Sequence, residues 1–217
     1  MENEKVRILI VDDHPIVCRG LAELIENEAD LAVCGEAGDI IEALKQVGEA
    51  QPHLAVIDLS LRNCSGIELI KQLKARHPGV KMLVTSMHDE TVYAERALRA
   101  GAMGYINKEE ATVSIIEAIR QVLRGKVYLS RRMTDTLLQQ VARGEPPNRS
   151  LVDHLTDREL EVFELIGQGL TTRQIASSLH LSIKTIETHR DGIKTKLNLT
   201  TGPQLARRAV EWVLSNS

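Results

Sequence analysis

Aromatic side chains are scarce in this 217-residue chain, which holds one Phe, one Trp and three Tyr. Five rings are too few to build a single-stranded nucleic-acid platform of stacked aromatics, and the core must be aliphatic. Cysteine is scarce as well. Cys18, Cys34 and Cys64 are odd in number, and no two have C-x-x-C spacing. That argues against a disulfide framework or a zinc knuckle and fits a reducing cytosol, with all three thiols read as small buried or half-buried side chains. No run approaches the roughly 18 apolar residues of a membrane span. The start, Met1-Glu2-Asn3-Glu4-Lys5, is acidic and leads straight into a strand-like segment, unlike a signal peptide. A cytoplasmic protein with no membrane contact is expected.

The remaining composition is globular. Hydrophobic residues make up 43% and charged residues 26%, values that argue against wholesale disorder. The length suggests one large domain or two small ones. The net charge of −3 conceals an asymmetry: residues 1–125 carry 14 Lys+Arg against 20 Asp+Glu, whereas residues 126–217 carry 13 against 10. An acidic half followed by a mildly basic one suggests two domains with different partners.

Hydropathy patterning divides the chain in the same place. Arg7–Val11, Leu31–Glu36, Leu54–Leu59, Val80–Ser86 and Met103–Ile106 are short apolar runs. Helical stripes lie between and after them, at Val17/Leu21/Leu24/Ile25, Ile40/Ile41/Leu44/Val47, Ile67/Leu69/Ile70/Leu73 and Ile115/Ile116/Ile119/Val122/Leu123. Strand-then-helix alternation over about 120 residues predicts an α/β domain, a doubly wound parallel sheet covered on both faces. After Leu123 the strand signal stops. Ser130 can cap a helix over 130–143 with Met133, Leu137, Leu138 and Val141 on one side, and Gly144-Glu-Pro-Pro-Asn-Arg-Ser150 reads as a linker. The rest reads as all-α. Thr156-Asp-Arg-Glu159 and Thr171-Thr-Arg-Gln174 have capping-box spacing, and Gly169 is a helix stop. Ser182 can cap a third helix running to Leu197, and a fourth spans about 202–214.

Chemistry is expected just past the strands, because doubly wound sheets place ligands at the carboxyl ends. Asp12 and Asp13 end the first strand, Asp58 the third and Ser86 the fourth, with Thr85 beside it; Lys108 follows the fifth. Clustered carboxylates raise one another's pKa, and a hard divalent cation relieves the repulsion. Asp13 and Asp58 would supply two carboxylate ligands and the Ser60 backbone carbonyl a third. A free Asp58 oxygen could then attack a phosphoryl group whose oxygens are held by the ion, Lys108 and the Ser86 hydroxyl. Taken singly, an Asp-Asp pair is often a turn or helix cap and a loop lysine is usually solvated; the combination is sharper than its parts.

Those residues carry a resemblance. Val11-Asp-Asp-His-Pro15, Ile57-Asp58-Leu59, Thr85-Ser86-Met87-His88 and Gly104-Tyr-Ile-Asn-Lys108 resemble the receiver domain of bacterial two-component response regulators over about residues 5–125. The resemblance implies a flavodoxin-like five-stranded fold, Asp58 as acceptor of phosphate from a histidine kinase, and a Mg²⁺ (or Mn²⁺) site served by Asp13 and by Asp12 through water. It also implies Lys108 as the phosphoryl partner, with Ser86 and Tyr105 as the switch pair, Tyr105 turning inward on phosphorylation. The gap of 28 residues after Asp58 selects Ser86 over Thr85. Met87 is bulky where receivers often have a small residue, which raises the question of access to the phosphoryl group. Ser60 and His88 occupy positions that tune phosphate loss in the family, and His88 is expected to approach the water path.

The C-terminal helices suit a helix-turn-helix at about 172–191. Arg173–Leu179 and Ile183–Leu197 flank a tight His180-Leu181 connection, with Ile186, Ile193 and Leu197 facing inward. Periodicity alone favours an ordinary helical hairpin, and residues 155–217 hold only 8 Lys+Arg against 7 Asp+Glu. Motifs decide the matter. Leu155-Thr-Asp-Arg-Glu-Leu-Glu-Val162, Ile166-Gly-Gln-Gly-Leu-Thr171, Gln174-Ile-Ala176, Leu181-Ser-Ile-Lys-Thr-Ile-Glu-Thr-His-Arg190 and Lys194-Thr-Lys-Leu-Asn-Leu199 resemble the LuxR-type helix-turn-helix over about 151–217. Together the halves resemble a NarL/FixJ-family response regulator: a receiver at 1–125, a linker at 126–150 and a four-helix DNA-binding domain at 151–217. The resemblance places Lys184 and Thr185 near phosphates and Glu187, Thr188 and Asp191 near bases, with Arg190 and Lys194 on the same helix. Two of the three base-facing positions are acidic. Such residues accept from cytosine N4 but repel phosphate, so modest affinity per monomer and dependence on a homodimer formed on phosphorylation are expected. The chain is expected to be no enzyme beyond its own phosphoryl transfer and dephosphorylation. The contrasting class is a phosphorylation-gated protein-interaction module that does not bind DNA, favoured by the acids at Glu187 and Asp191.

Overall fold

A computed structural model of the chain describes residues 5–61, 64–142 and 151–215. The expected linker core, Gly144–Ser150, lies outside the described residues. Elements alternate from the start: β1 (Val6–Val11), α1 (Pro15–Glu26), β2 (Leu31–Ala37), α2 (Ile40–Ala50) and β3 (Leu54–Asp58). A two-stranded hairpin, β4 (Ser60–Leu61) and β5 (Cys64–Ser65), precedes α3 (Gly66–Arg76), β6 (Lys81–Ser86), α4 (Glu90–Ala100), β7 (Gly104–Asn107) and α5 (Lys108–Leu123). The five long runs pair in parallel in the order β2-β1-β3-β6-β7.

Alternation along each strand feeds two cores. Ile8, Ile10, Leu54, Val56, Leu83 and Ile106 join Cys18, Leu21 and Ile25 of α1 and Ile115, Ile119 and Val122 of α5. The intervening Leu9, Val11, Ala55, Ile57 and Val84 are buried too, and by the two-residue period they face the other side. Residues on both faces are apolar, as a doubly covered parallel sheet requires.

Two elements differ from the sequence pattern. No aliphatic stripe marks α4, because its buried side is Tyr93, Ala94, Ala97 and Ala100. Small residues allow close packing but give weak periodicity in hydropathy. The hairpin after β3 was not foreseen, and its strands are only two residues each. It leads into a close approach: Gly66 N donates to Leu59 O at 2.7 Å. A Cβ on Gly66 would meet the Asp58 carbonyl oxygen at 2.1 Å, so glycine is required for α3 to start against the Asp58 backbone.

The chain divides into two compact units at Leu137/Leu138, a point inside the expected linker. α6 (Arg131–Ala142) straddles that point. Ser130 caps it, its Oγ accepting from Met133 N at 3.1 Å. Met133 is buried, whereas Leu138 is 62% exposed, so the expected apolar stripe of α6 is not wholly covered; the Val141 side chain is outside the described residues.

The second unit contains a 3₁₀ turn at Leu151–His154 and four helices, α7 (Asp157–Gly167), α8 (Thr172–Ser178), α9 (Ile183–Lys196) and α10 (Gly202–Ser215). Both expected capping boxes form, at Thr156/Glu159 and Thr171/Gln174. Gly169 lies two residues beyond the last helical residue of α7, at φ +86°, and terminates that helix. Leu160, Phe163, Ile175, Ile186, Ile193 and Leu205 form the core. Phe163 and Trp212 tie α7 to α10, their ring centroids 5.7 Å apart.

Candidate functional site

The carboxyl ends of β1, β3, β6 and β7 bring the expected residues to one edge. Asp12 follows β1, Asp58 is the last residue of β3, Ser86 the last of β6, and Lys108 the first helical residue after β7. Asn107 caps α5, accepting from Glu109 N at 2.9 Å, and thereby starts the helix at Lys108. The Lys108 ammonium lies 2.6 Å from Asp12 Oδ2 and 2.7 Å from Asp58 Oδ2. Beyond that ammonium, those two buried oxygens receive no hydrogen bond among the described residues. Burial raises the Asp58 carboxyl above the usual carboxylate range, against the pull of Lys108. For Lys108 burial opposes the charge, but Asp58 and Asp12 outweigh it and hold the ammonium above the ordinary lysine range.

Asp13 stands beside this pair, and His14 completes the cluster. One ligand-type atom from each of Asp12, Asp13, His14 and Asp58 lies within 4.8 Å of the others. The imidazole Nδ1 of His14 is 3.1 Å from Asp12 Oδ1 and 2.9 Å from Asp13 Oδ1. His14 was visible in the Asp-Asp-His-Pro motif, but an exposed residue preceding a helix gave no hint of this contact. A set of three carboxylates with buried oxygens suits a hard cation. The fit rests on that donor set.

Ser86 and Tyr105 meet one another. Ser86 is fully buried; its Oγ accepts from His88 N at 3.1 Å, and its hydroxyl also bonds the Tyr105 phenol. The Tyr105 hydroxyl donates to His88 O at 2.7 Å. Tyr105 is 1% exposed, so its ring lies inward in this structure. Burial raises its hydroxyl pKa. Thr85 pairs in register with Asp58, its buried hydroxyl has no hydrogen-bond partner among the described residues, and the residue lines an apolar groove of about 710 Å³ with Ile16, Val17, Leu21 and Met87. Met87 is 63% exposed and belongs to that groove. Ser60 and His88 meet directly: Ser60 Oγ and His88 Nε2 are 2.9 Å apart, and the imidazole stacks on Tyr93 with centroids 4.5 Å apart.

The second unit presents α9. Ser182 caps it, accepting from Thr185 N at 3.0 Å, and His180 adopts φ +53° to make the tight turn from α8. Lys184, Glu187, Thr188 and Asp191 are exposed, while Thr185, Arg190 and Lys194 are half-buried. Ile186 and Ile193 are fully buried on the opposite side. The acids are partly offset, since Asp191 pairs with Lys194 at 2.9 Å. Lys196 pairs with the capping residue Glu159, fixing α9 on α7.

A parallel sheet whose carboxyl edge gathers acids, a lysine and a hydroxyl, followed by a helix-turn-helix unit, defines a phosphoryl-receiver module joined to a helical module of nucleic-acid type. Residues 8–120 match the response regulator receiver domain, and residues 153–209 match the bacterial regulatory proteins of the luxR family. The chain belongs to the NarL/FixJ-type response regulators, with a LuxR-type DNA-binding domain. It is 36% identical over 204 residues to the transcriptional activator protein ExaE of Pseudomonas putida, covering 94% of this chain and 95% of that one. Among solved structures it resembles RcsB from Salmonella enterica serovar Typhimurium bound to promoter rprA with the phosphomimetic BeF3- (TM-score 0.61, 25% identity, 94% and 98% coverage). It also resembles two RcsB dimers bound to two parallel DNAs (TM-score 0.58, 25% identity, 98% and 99% coverage). Among the described residues no helix is long and apolar enough to cross a membrane.

Proposed function

We propose that this response regulator is a cytoplasmic transcription regulator whose Asp58 accepts a phosphoryl group from a histidine kinase or a small donor such as acetyl phosphate. The observation that carries the reading is the Asp58 carboxylate, 1% exposed and gripped by Lys108 at the sheet edge. A carboxylate oxygen of Asp58 attacks phosphorus, forming the aspartyl O–P bond as the bond to the donor breaks. Lys108 pairs with a phosphoryl oxygen and Ser86 donates its hydroxyl to another. Asp13, Asp58 and the Ser60 carbonyl would hold Mg²⁺ (or Mn²⁺) directly and Asp12 through water; the ion supplies charge neutralisation at the transferring group. His14 now contacts the Asp12 and Asp13 carboxylates and would have to release Asp13 for that oxygen to serve as a ligand.

Phosphorylation favours a homodimer that places two α9 helices in successive major grooves, with Lys184, Thr185, Glu187, Thr188, Arg190, Asp191 and Lys194 at the interface. RcsB, seen as dimers on DNA, supports this reading. The Asp191–Lys194 ion pair weakens the charge argument for a purely protein-binding module. The chain turns over no substrate besides its own phosphoryl group.

The test is a selection of bound fragments from the source genome, with and without Mg²⁺ and beryllofluoride. A two-half-site motif enriched only with the mimic is expected, weakening steeply with salt. No enrichment in either sample sinks DNA binding.

The Ser60–His88 pair joins the residue two positions after the acceptor to an imidazole two positions after the switch hydroxyl. His88→Ala is expected to change the rate of phosphate loss several-fold, followed as decay of phosphorylated protein. An unchanged half-life removes His88 from the water path.

A further inference from the structure

The segment after α5 does not leave the receiver unit. Tyr128 extends the sheet beside β7: it forms a parallel bridge with Gly104, its N–H donates to Met103 O at 3.0 Å, and its carbonyl accepts from Tyr105 N at 2.9 Å. Gly104 permits this approach, because a Cβ there would meet Tyr128 O at 3.0 Å and Tyr128 Cβ at 3.1 Å. Two residues on, the Ser130 N–H donates to Glu90 Oε1 at 2.9 Å. Ser130 is the cap of α6, accepting from Met133 N at 3.1 Å through Oγ and from Thr134 N at 3.0 Å through its carbonyl. Met133 is buried behind it, 2% exposed. The first turn of α6 is therefore fixed at two points, β7 and the N-terminus of α4.

Both anchors adjoin the switch. Tyr105, on β7, is hydrogen-bonded to Tyr128 through its backbone and to His88 O through its hydroxyl. Glu90 follows the short loop 87–89, and that loop is tied to Ser86 Oγ by His88 N–H. A movement of the Ser86 hydroxyl toward a group on Asp58 pulls on this loop. The loop carries the acceptor of the Tyr105 hydroxyl and leads into Glu90, the acceptor of the Ser130 N–H.

We propose that Glu90 and Ser130 form an output latch: occupancy of Asp58 draws the 86–89 loop inward, parts Glu90 from Ser130, and loosens the first turn of α6, the start of the connection to the DNA-binding unit. The proposal rests on Asp58 being the acceptor. It makes Glu90 a positioning residue with no part in the phosphoryl chemistry.

The experiment is residue-resolved amide hydrogen exchange on the full chain with Mg²⁺, with and without beryllofluoride, the bound mimic being verified by its ¹⁹F signal. The Ser130, Met133 and Thr134 amides are expected to exchange roughly five- to tenfold faster when the mimic is bound, the scale of one lost hydrogen bond. Glu90→Ala is expected to show that acceleration without the mimic and to gain little more with it. Glu90→Gln keeps the Oε1 acceptor and is expected to follow the parent. Unchanged exchange at these amides despite a bound ¹⁹F signal overturns the latch and leaves Asp58 intact. So does equal acceleration across β6, β7 and α6 in both variants, which marks general loosening. Absence of any bound mimic overturns the reading of Asp58, and the latch with it.

Discussion

Asp58→Asn is expected to lower phosphate uptake to background, a loss of more than about 10³-fold. The amide keeps the size and much of the hydrogen bonding of the carboxyl group, so the fold is expected to survive. What disappears is the nucleophilic oxygen and one charge at a position 1% exposed. Asp12 is as close to Lys108, but it follows β1, and its Oδ1 already accepts from His14 N at 2.9 Å. Mixing the variant with radiolabelled acetyl phosphate and Mg²⁺, and following acid-stable and hydroxylamine-labile label, measures the effect. Label retained at more than a few per cent of the parent would mean that another carboxylate is the acceptor. The DNA-selection readout is expected to become independent of beryllofluoride in the same variant.

Lys108→Ala is expected to be the most destabilising single change at this edge. The ammonium has 11% of its side chain exposed, and the carboxylates it separates have 1% and 2%. Removing it leaves two buried acids facing each other, a change that costs about 3–5 kcal/mol when a buried pair is broken. The cost has a definite pH dependence. Burial already raises the Asp58 carboxyl, and loss of Lys108 raises it further. A carboxyl whose folded pKa exceeds its unfolded value holds more protons when folded, so stability falls as pH rises from the unfolded value through the folded one. The deficit of the variant is therefore largest at neutral pH and closes as pH drops to about 4. Urea unfolding in the presence of a chelator measures it as a lower midpoint with unchanged slope. Mg²⁺ replaces the missing positive charge and is expected to recover more stability in the variant than in the parent. Equal stability of the two proteins in chelator at pH 7 would show that Lys108 does not neutralise this pair.

Much of the molecule was legible before any coordinates. The strands announced themselves because both faces of a covered parallel sheet are apolar, and the four named helices because a stripe every three to four residues marks a buried side. Asp12, Asp13, Asp58, Ser86 and Lys108 stood out because they follow or end four different strands, β1, β3, β6 and β7, and a parallel sheet sends all those ends to one edge. The capping boxes at Thr156 and Thr171 were local, set by a side chain and a backbone three residues apart, and they form as written. Helix α4 escaped because alanines bury its inner side.

The sequence by itself determined the two-module order, the parallel sheet and the residues at its acidic edge, since those depend on hydropathy period and on which residue ends each strand. Only the tertiary structure decided how these groups are paired. Lys108 joins Asp12 to Asp58 across 50 residues or more of chain, Ser60 reaches His88, and Ser130 is held by Glu90. Hydropathy brought Asp12, Asp58 and Lys108 to one edge, but which atoms pair there, and that Ser130 meets Glu90, followed from neither spacing nor hydropathy. Their partners were set by strand order β2-β1-β3-β6-β7 and by helix packing, which fix long-range distances that no local propensity encodes.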